Sequence, residues 1–76
     1  MDERIKKMMA MVLGIDIAGI KDDASAENIE GWDSLKHVSL MIALEEEFSV
    51  RFDSEEMIGM MNFAAIKEVI TNKCKE

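Results

Sequence analysis

The sequence predicts an all-α protein, a small bundle of four helices with a long first loop and a short third helix. Three observations lead to this prediction. Apolar residues recur at helical spacing in four separate segments. No run that could form a strand exceeds residues 48–52, and the chain contains no proline. With 76 residues there is room for one hydrophobic core, so we expect a single domain over residues 1–76.

The first helix is predicted over residues 2–13, and Gly14 supplies its stop. Its apolar face is formed by Ile5, Met8, Met9, Val12 and Leu13. Residues 15–33 then break the helical pattern and form a long connection. This loop contains four isoleucines, Ile15, Ile17, Ile20 and Ile29. Because four isoleucines are too apolar to lie wholly in water, we expect the loop to pack onto the core.

The remaining helices are predicted over residues 34–48, 53–61 and 63–74. Asp53 or Ser54 can begin the short third helix, with Glu56 placed for a capping box. Asn62 can cap the last helix. The apolar face of that helix consists of Phe63, Ile66, Val69 and Ile70. Met8, Met9, Met57 and Met60 also fall at helical spacing, which favours positions in the core.

The second helix carries two apolar stripes on nearly opposite faces. The stripe predicted to face the core contains Leu40, Met41, Leu44 and Phe48. The other stripe, called the outer strip below, contains Leu35, Val38 and Ile42 and is flanked by Glu45 and Glu46. An apolar strip edged by acids is typical of a transient docking surface. The alternative is that the long loop folds over the outer strip and buries it.

The acidic residues are concentrated in one part of the chain. The net charge is −7, and residues 22–56 hold eleven acidic residues against two basic ones. An acidic sector argues against nucleic acid as a partner and favours a protein with a basic patch. Simple solvation of the surface is the alternative explanation.

Other features of the chain are best described by what they exclude. No apolar run is long enough to cross a bilayer and no signal-peptide pattern is present, so we expect a cytoplasmic protein that does not bind membranes. Cys74 is the single cysteine and cannot form an internal disulfide. The pair Asp22 and Asp23 lacks the spacing of a calcium loop, so we expect no metal site. We expect a monomer.

Ser34 stands at the predicted start of the second helix, in the segment Gly31-Trp32-Asp33-Ser34-Leu35. A helix N-terminus favours an anion, so a phosphodiester on the Ser34 oxygen would be stabilised there. Taken from the residues alone, Asp33 or Ser34 could equally serve only as the helix cap. A catalytic serine is disfavoured because the G-x-S-x-G elbow is missing, although His37 lies one turn away. We interpret His37 as a surface or boundary residue rather than a base.

The segment Asp33-Ser34-Leu35, followed at the right distance by Glu45-Glu46-Glu47-Phe48, resembles the phosphopantetheine-attachment region of acyl carrier proteins. Helix order, chain length and acid balance agree with that resemblance, as do Phe52 and the Asn62-Phe63 start of the last helix. Trp32 directly before the motif is similar to stand-alone carriers of specialised pathways. His37 and Arg51 depart from the residues usual in fatty-acid carriers.

The resemblance implies a role for each matching residue. Ser34 would carry a 4'-phosphopantetheine arm taken from coenzyme A by a phosphopantetheinyl transferase, and Asp33 would assist that modification. The outer strip would contact partner enzymes, and Glu45 and Glu46 would form its charged rim. The protein would not itself be an enzyme. It would hold acyl or aminoacyl intermediates as thioesters for loading and downstream enzymes with basic docking patches, in fatty-acid, polyketide or other specialised biosynthesis.

One alternative from a different class stays open at this point. An acidic helical protein-interaction module could use the same outer strip without a prosthetic group. Modification of Ser34 distinguishes the two, because the interaction module does not need it. Trp32 is interpreted as a plug that packs the loop against the bundle, with direct contact to the arm or a partner as the alternative.

Overall fold

Four helices and one short 3₁₀ turn make up the computed structural model, which describes residues 2–74. Helix α1 spans Asp2–Leu13, α2 spans Ser34–Phe48, α3 spans Ser54–Gly59 and α4 spans Phe63–Lys73. The bounds predicted for α1 and α2 are confirmed. Helix α3 begins one residue after its predicted start, and both α3 and α4 end before their predicted ends. Within the described residues there is no strand, only an isolated bridge between Ser25 and Asn62. The predicted all-α bundle with a short third helix is therefore confirmed.

Local chemistry fixes where each helix begins and ends. Gly14 adopts a positive φ of 71°, and its N–H bonds the carbonyl of Ala10 at 2.9 Å, which ends α1. Asp53 and Glu56 form the predicted capping box of α3, with bonds of 2.8 and 3.0 Å. The Asn62 side chain accepts a bond from the N–H of Ala65 at 2.7 Å, as expected for the cap of α4.

The core joins all four helices and the long loop. Its fully buried members come from α1, α2, the residue after α3, and α4. They are Ile5, Met9, Leu40, Met41, Leu44, Met60, Ile66 and Ile70. Phe48 was predicted to lie in the core but is only half-buried. It is the last residue of α2, and the Arg4 guanidinium covers its ring at 4.5 Å from the centroid.

The long loop between α1 and α2 packs against the bundle, as its isoleucines predicted. Ile20 and Ile29 are buried, and Ile15 and Ile17 are half-buried against the core. A 3₁₀ turn over Ile17–Gly19, which the sequence pattern did not predict, lies within the loop.

Hydrogen bonds tie the same loop to two other parts of the bundle. The N–H of Ala26 bonds the Met61 carbonyl at 2.9 Å, and the Phe63 N–H bonds the Ala24 carbonyl at 2.8 Å. These two bonds join the loop to the junction of α3 and α4. Lys6 of α1 also bonds Asp22 at 3.0 Å, and this bond lowers the pKa of the Asp22 carboxyl.

The two stripes of α2 lie in different environments. Leu40, Met41 and Leu44 are buried, whereas the outer strip is exposed. Leu35, Val38 and Ile42 expose 76%, 55% and 53% of their surface. The long loop therefore does not cover the outer strip, which excludes that alternative.

Two matched substitutions, one in each stripe of α2, should change the free energy of unfolding by very different amounts. Leu44→Asp buries an unpaired carboxylate, and we expect a loss of several kcal/mol, on the order of the whole stability of so small a domain. Ile42→Asp places the same group in water, and we expect a change within about 0.5 kcal/mol. Thermal unfolding followed by circular dichroism measures both. An Ile42→Asp variant as unstable as Leu44→Asp would contradict the exposed position of the outer strip.

Candidate functional site

The start of α2 presents an exposed serine. Asp33 is the N-cap, and its side chain accepts a bond from the Lys36 N–H at 2.9 Å. Because Asp33 makes the cap, Ser34 is free to occupy the first helical position, where it is exposed. The first N–H groups of any helix point outward without an intrahelical acceptor, and they favour an anion at this position. The first turn of α2 contains no acidic residue, whereas Lys36 lies within it.

An apolar cleft of about 450 Å³ lies between α2 and α3, directly beside this serine. Two serines line it, Ser34 and Ser54, and each is the first residue of its helix. The other lining residues are His37, Val38, Met41, Met57, Ile58 and Met61. Three methionines and two branched aliphatic side chains give the cleft a flexible, apolar surface.

His37 is buried, so the expectation of a surface or boundary residue is wrong. It keeps 8% of its surface exposed, and both ring nitrogens have partners. Its Nδ1 lies 3.1 Å from the Trp32 Nε1, and its Nε2 lies 2.7 Å from the Met57 carbonyl oxygen. Satisfied hydrogen bonds are what allow a polar ring to lie inside a small core. The signal that sequence reasoning missed is the tryptophan five residues earlier, which needs a buried acceptor for its N–H.

Trp32 itself is a buried plug, as the sequence indicated. Its side chain is 4% exposed, and its ring lies nearly parallel to the His37 ring with centroids 6.0 Å apart. The Trp32 side chain does not line the cleft. It lies in the core and contacts the first turns of α2 through His37. It thereby connects the long loop with the helix that presents Ser34.

The two acids predicted as the rim of the outer strip lie in different surroundings. Glu46 is exposed. Glu45 is half-buried, and its Oε2 accepts a bond from the Phe52 N–H at 2.8 Å. Glu45 therefore holds the segment that connects α2 with α3, a contact that no helical pattern could indicate. Both residues line a second groove of about 320 Å³ together with Ile42, Ser49, Val50 and Arg51.

Comparison with known proteins relates the whole chain to a family. A family model described as the phosphopantetheine attachment site matches residues 3–70 of the chain. The chain belongs to this family. Its members are carrier proteins that are not enzymes, and they carry a covalently attached 4'-phosphopantetheine group. They interact generally with a phosphopantetheinyl transferase and with biosynthetic enzymes.

The geometry at the start of α2 fits such a group. An exposed hydroxyl on the first residue of a 15-residue helix can be reached by a transferase. A phosphodiester formed there would lie in the favourable field of the helix N-terminus. The cleft beside Ser34 has an apolar surface that could contact an apolar cargo on such a group. No helix in residues 2–74 is long and apolar enough to cross a membrane.

The different surroundings of Glu45 and Glu46 can be tested by stability. Glu45→Ala removes the acceptor of the Phe52 N–H, and we expect a loss of about 1–2 kcal/mol. Glu45→Gln keeps an acceptor oxygen and should recover most of that loss. Glu46→Ala is the matched control, with an expected change within about 0.5 kcal/mol. Urea unfolding measures all three. Equal effects of Glu45→Ala and Glu46→Ala would show that the Phe52 contact contributes nothing.

Proposed function

We propose that Ser34 is the attachment site and that the chain holds acyl or aminoacyl intermediates as thioesters on the attached arm. It presents them to partner enzymes of fatty-acid, polyketide or other specialised biosynthesis. The observation that carries this proposal is the exposed Ser34 hydroxyl at the start of α2, beside an apolar cleft. Membership of the family supports the presence of the arm. The exposed position of Ser34 supports attachment of the arm at this residue.

Four other serines compete for this role, and the structure disfavours each. The Ser25 hydroxyl accepts a bond from the Glu27 N–H in the loop. Ser39 lies inside α2, and Ser49 follows its end. Ser54 is the strongest competitor, because it also follows a capping aspartate, begins a helix and lines the cleft.

The charges around the two helix starts favour Ser34 over Ser54. The first turn of α3 contains two acids, Glu55 and Glu56, which would repel an added phosphodiester. That of α2 contains none. Helix α3 is also only six residues long, against 15 in α2, so fewer aligned peptide dipoles contribute at its start.

Each residue at the site has a limited chemical task. The Ser34 oxygen would attack the phosphorus of the coenzyme A diphosphate that bears the pantetheine arm. The P–O bond of the diphosphate would break, 3',5'-ADP would leave, and the hydroxyl would give up its proton. His37 is not available to take that proton, because Nδ1 accepts from Trp32 and Nε2 faces the Met57 carbonyl. We propose that a base on the transferase takes it instead. Once attached, the arm would supply the thiol to which the cargo is bound.

The outer strip is our proposed docking surface for the partner enzymes. Leu35 and Val38 lie within a turn of Ser34, and Ile42 continues the strip along α2. Contiguous exposed apolar side chains beside a modification site suit short-lived contacts with several enzymes. Glu46 would attract a basic patch on the partner, and Glu45 would do so only with the part of its carboxylate that Phe52 leaves free. Asp33 would assist the transferase while it keeps its cap bond to Lys36.

The attachment site can be tested by mass spectrometry of the intact protein. Incubation with coenzyme A, magnesium and a broad-specificity phosphopantetheinyl transferase should add the mass of one arm. Ser34→Ala should keep its fold and lose the addition completely, since no other serine combines exposure with a first helical turn that contains no acid. Ser54→Ala is the matched control and should be modified like the wild type.

Two outcomes would contradict the proposal in different ways. Modification that persists in Ser34→Ala and disappears in Ser54→Ala would move the arm to α3. Wild-type protein that several transferases leave unmodified would favour the interaction module without a prosthetic group. In that case the outer strip would still bind a partner.

The docking surface can be tested by the rate of the same transfer. Ile42→Asp should lower kcat/KM by about tenfold or more, because a charge enters the apolar centre of the contact. Met11→Asp is the matched control, since Met11 is a 72% exposed apolar residue on α1, and its kcat/KM should not change. Glu46→Lys should slow association, and its deficit should shrink as salt rises. Equal rates for Ile42→Asp and Met11→Asp would place the docking surface elsewhere.

A further inference from the structure

His37 joins three elements that surround the cleft. It belongs to α2, its Nδ1 faces the indole N–H of Trp32 in the loop, and its Nε2 faces the carbonyl of Met57 in α3. The distances are 3.1 Å and 2.7 Å. The ring also lines the cleft beside Ser34. A change in the hydrogen bonds of His37 would therefore alter contacts in the loop, in α3 and in the cleft.

The two partners fix the protonation state of the ring. The Trp32 indole can only donate, so Nδ1 must be the acceptor, and the Met57 carbonyl can only accept, so Nε2 must carry the hydrogen. Only the neutral ring satisfies both contacts. A protonated ring would direct an Nδ1–H at the Trp32 N–H, and a buried donor would lose its acceptor.

Helix α3 depends on such polar contacts because it has little burial of its own. None of its residues, Ser54–Gly59, is fully buried. Met57 is half-buried against the core, and Met60 is buried just after the helix. Apart from these, the ion pair of Glu56 with Lys73 at 3.1 Å and the His37 bond connect α3 with other helices. Elements with few buried contacts open at low free-energy cost, so the loss of one bond matters here.

We propose that His37 is a positioning residue that holds α3 against α2 in its neutral form and releases α3 when the ring is protonated. Release would widen the cleft next to Ser34. The contact between α3 and α2 does not depend on the proposed attachment site. The effect of releasing α3 on a group carried by Ser34 does rest on that proposal. Acidification would thus loosen the part of the carrier that lies beside its arm.

The residues that line the cleft with the His37 ring carry no charge that could produce the same pH-dependent release of α3. The side chains that share the cleft belong to α2, to α3 and to Met61 just after α3, and none of them is charged. The charged groups of the loop are Asp16, Lys21, Asp22, Asp23, Glu27 and Glu30, and α2 ends with Glu45, Glu46 and Glu47. Asp33 and Lys36 lie at the start of α2, and Asp53, Glu55 and Glu56 lie at the start of α3. Of these, Asp33, Asp53 and Glu56 accept cap bonds from backbone N–H groups.

The chain carries its own reporters for this proposal, because it contains one tryptophan and one histidine. Nitrogen NMR of the His37 ring at one neutral and one acidic pH should show the Nε2–H tautomer at the first and a protonated ring at the second. Over the same range, hydrogen-exchange protection of the α3 amides should fall by about tenfold, the equivalent of one lost buried hydrogen bond. Trp32 emission should shift to the red, while the amides of α1 and α4 stay protected.

Two substitutions separate positioning from simple burial. His37→Gln can accept from Trp32 and donate to Met57 but cannot titrate, so its α3 protection should stay the same at both pH values. His37→Leu keeps an apolar volume without either bond, so its α3 protection should be low at both. If the Leu variant does not fold, the pH series of the wild type and the Gln variant still decides the matter.

Several results would overturn the proposal. A ring that stays neutral over this range, or one that titrates while α3 remains protected, excludes release by protonation. A His37→Gln variant that loses protection on acidification like the wild type assigns the effect to carboxylates. All measurements use the full, unmodified chain and should be unchanged in a Ser34→Ala background. Failure of the attachment site therefore leaves this result untouched, and the reverse also holds.

Discussion

Burial of one face of α2 is the interaction on which the rest of this carrier depends. Leu40, Met41 and Leu44 lie in the core, and each contributes about 1.5–3 kcal/mol through removal from water. A domain of this size has a net stability of only a few kcal/mol, so it would unfold if this face of α2 were not buried. Because a helix has a fixed period, burial of these three residues turns the outer strip toward solvent and sets the position at which Ser34 emerges.

The buried polar contacts around Trp32 have a different role from the apolar core. An indole N–H and an imidazole inside a small core would each be costly without partners, and here they satisfy one another and the Met57 carbonyl. Apolar contacts alone would allow α3 to slide along α2, because methionine side chains adapt to many arrangements. Directed hydrogen bonds define one position. The width of the cleft therefore depends on a contact that hydrophobicity does not specify.

Much of the fold could be predicted from the sequence because the relevant signals are local. Helical periodicity and caps depend on residues three or four positions apart. Periodicity predicted the bounds of α1 and α2 to the residue, and the cap Asn62 marked the start of α4. Two of the errors involve partners distant in the chain. Met57 lies twenty positions after His37, and Arg4 covers Phe48 across the bundle. Ser34 was predicted as the attachment site through a resemblance, since a helix cap would also explain the residues of its segment.

The distribution of charge around Ser34 follows from the same geometry. The segment 22–56 is strongly acidic, yet the first turn of α2 contains no acid, and the acids of that helix lie at its far end. At that end their charges oppose the helix dipole, which is slightly unfavourable for stability. Such a cost is compatible with a role in attraction of basic partners, while the acid-free first turn leaves the helix field available to a phosphodiester. Stability alone would favour the opposite placement of these acids.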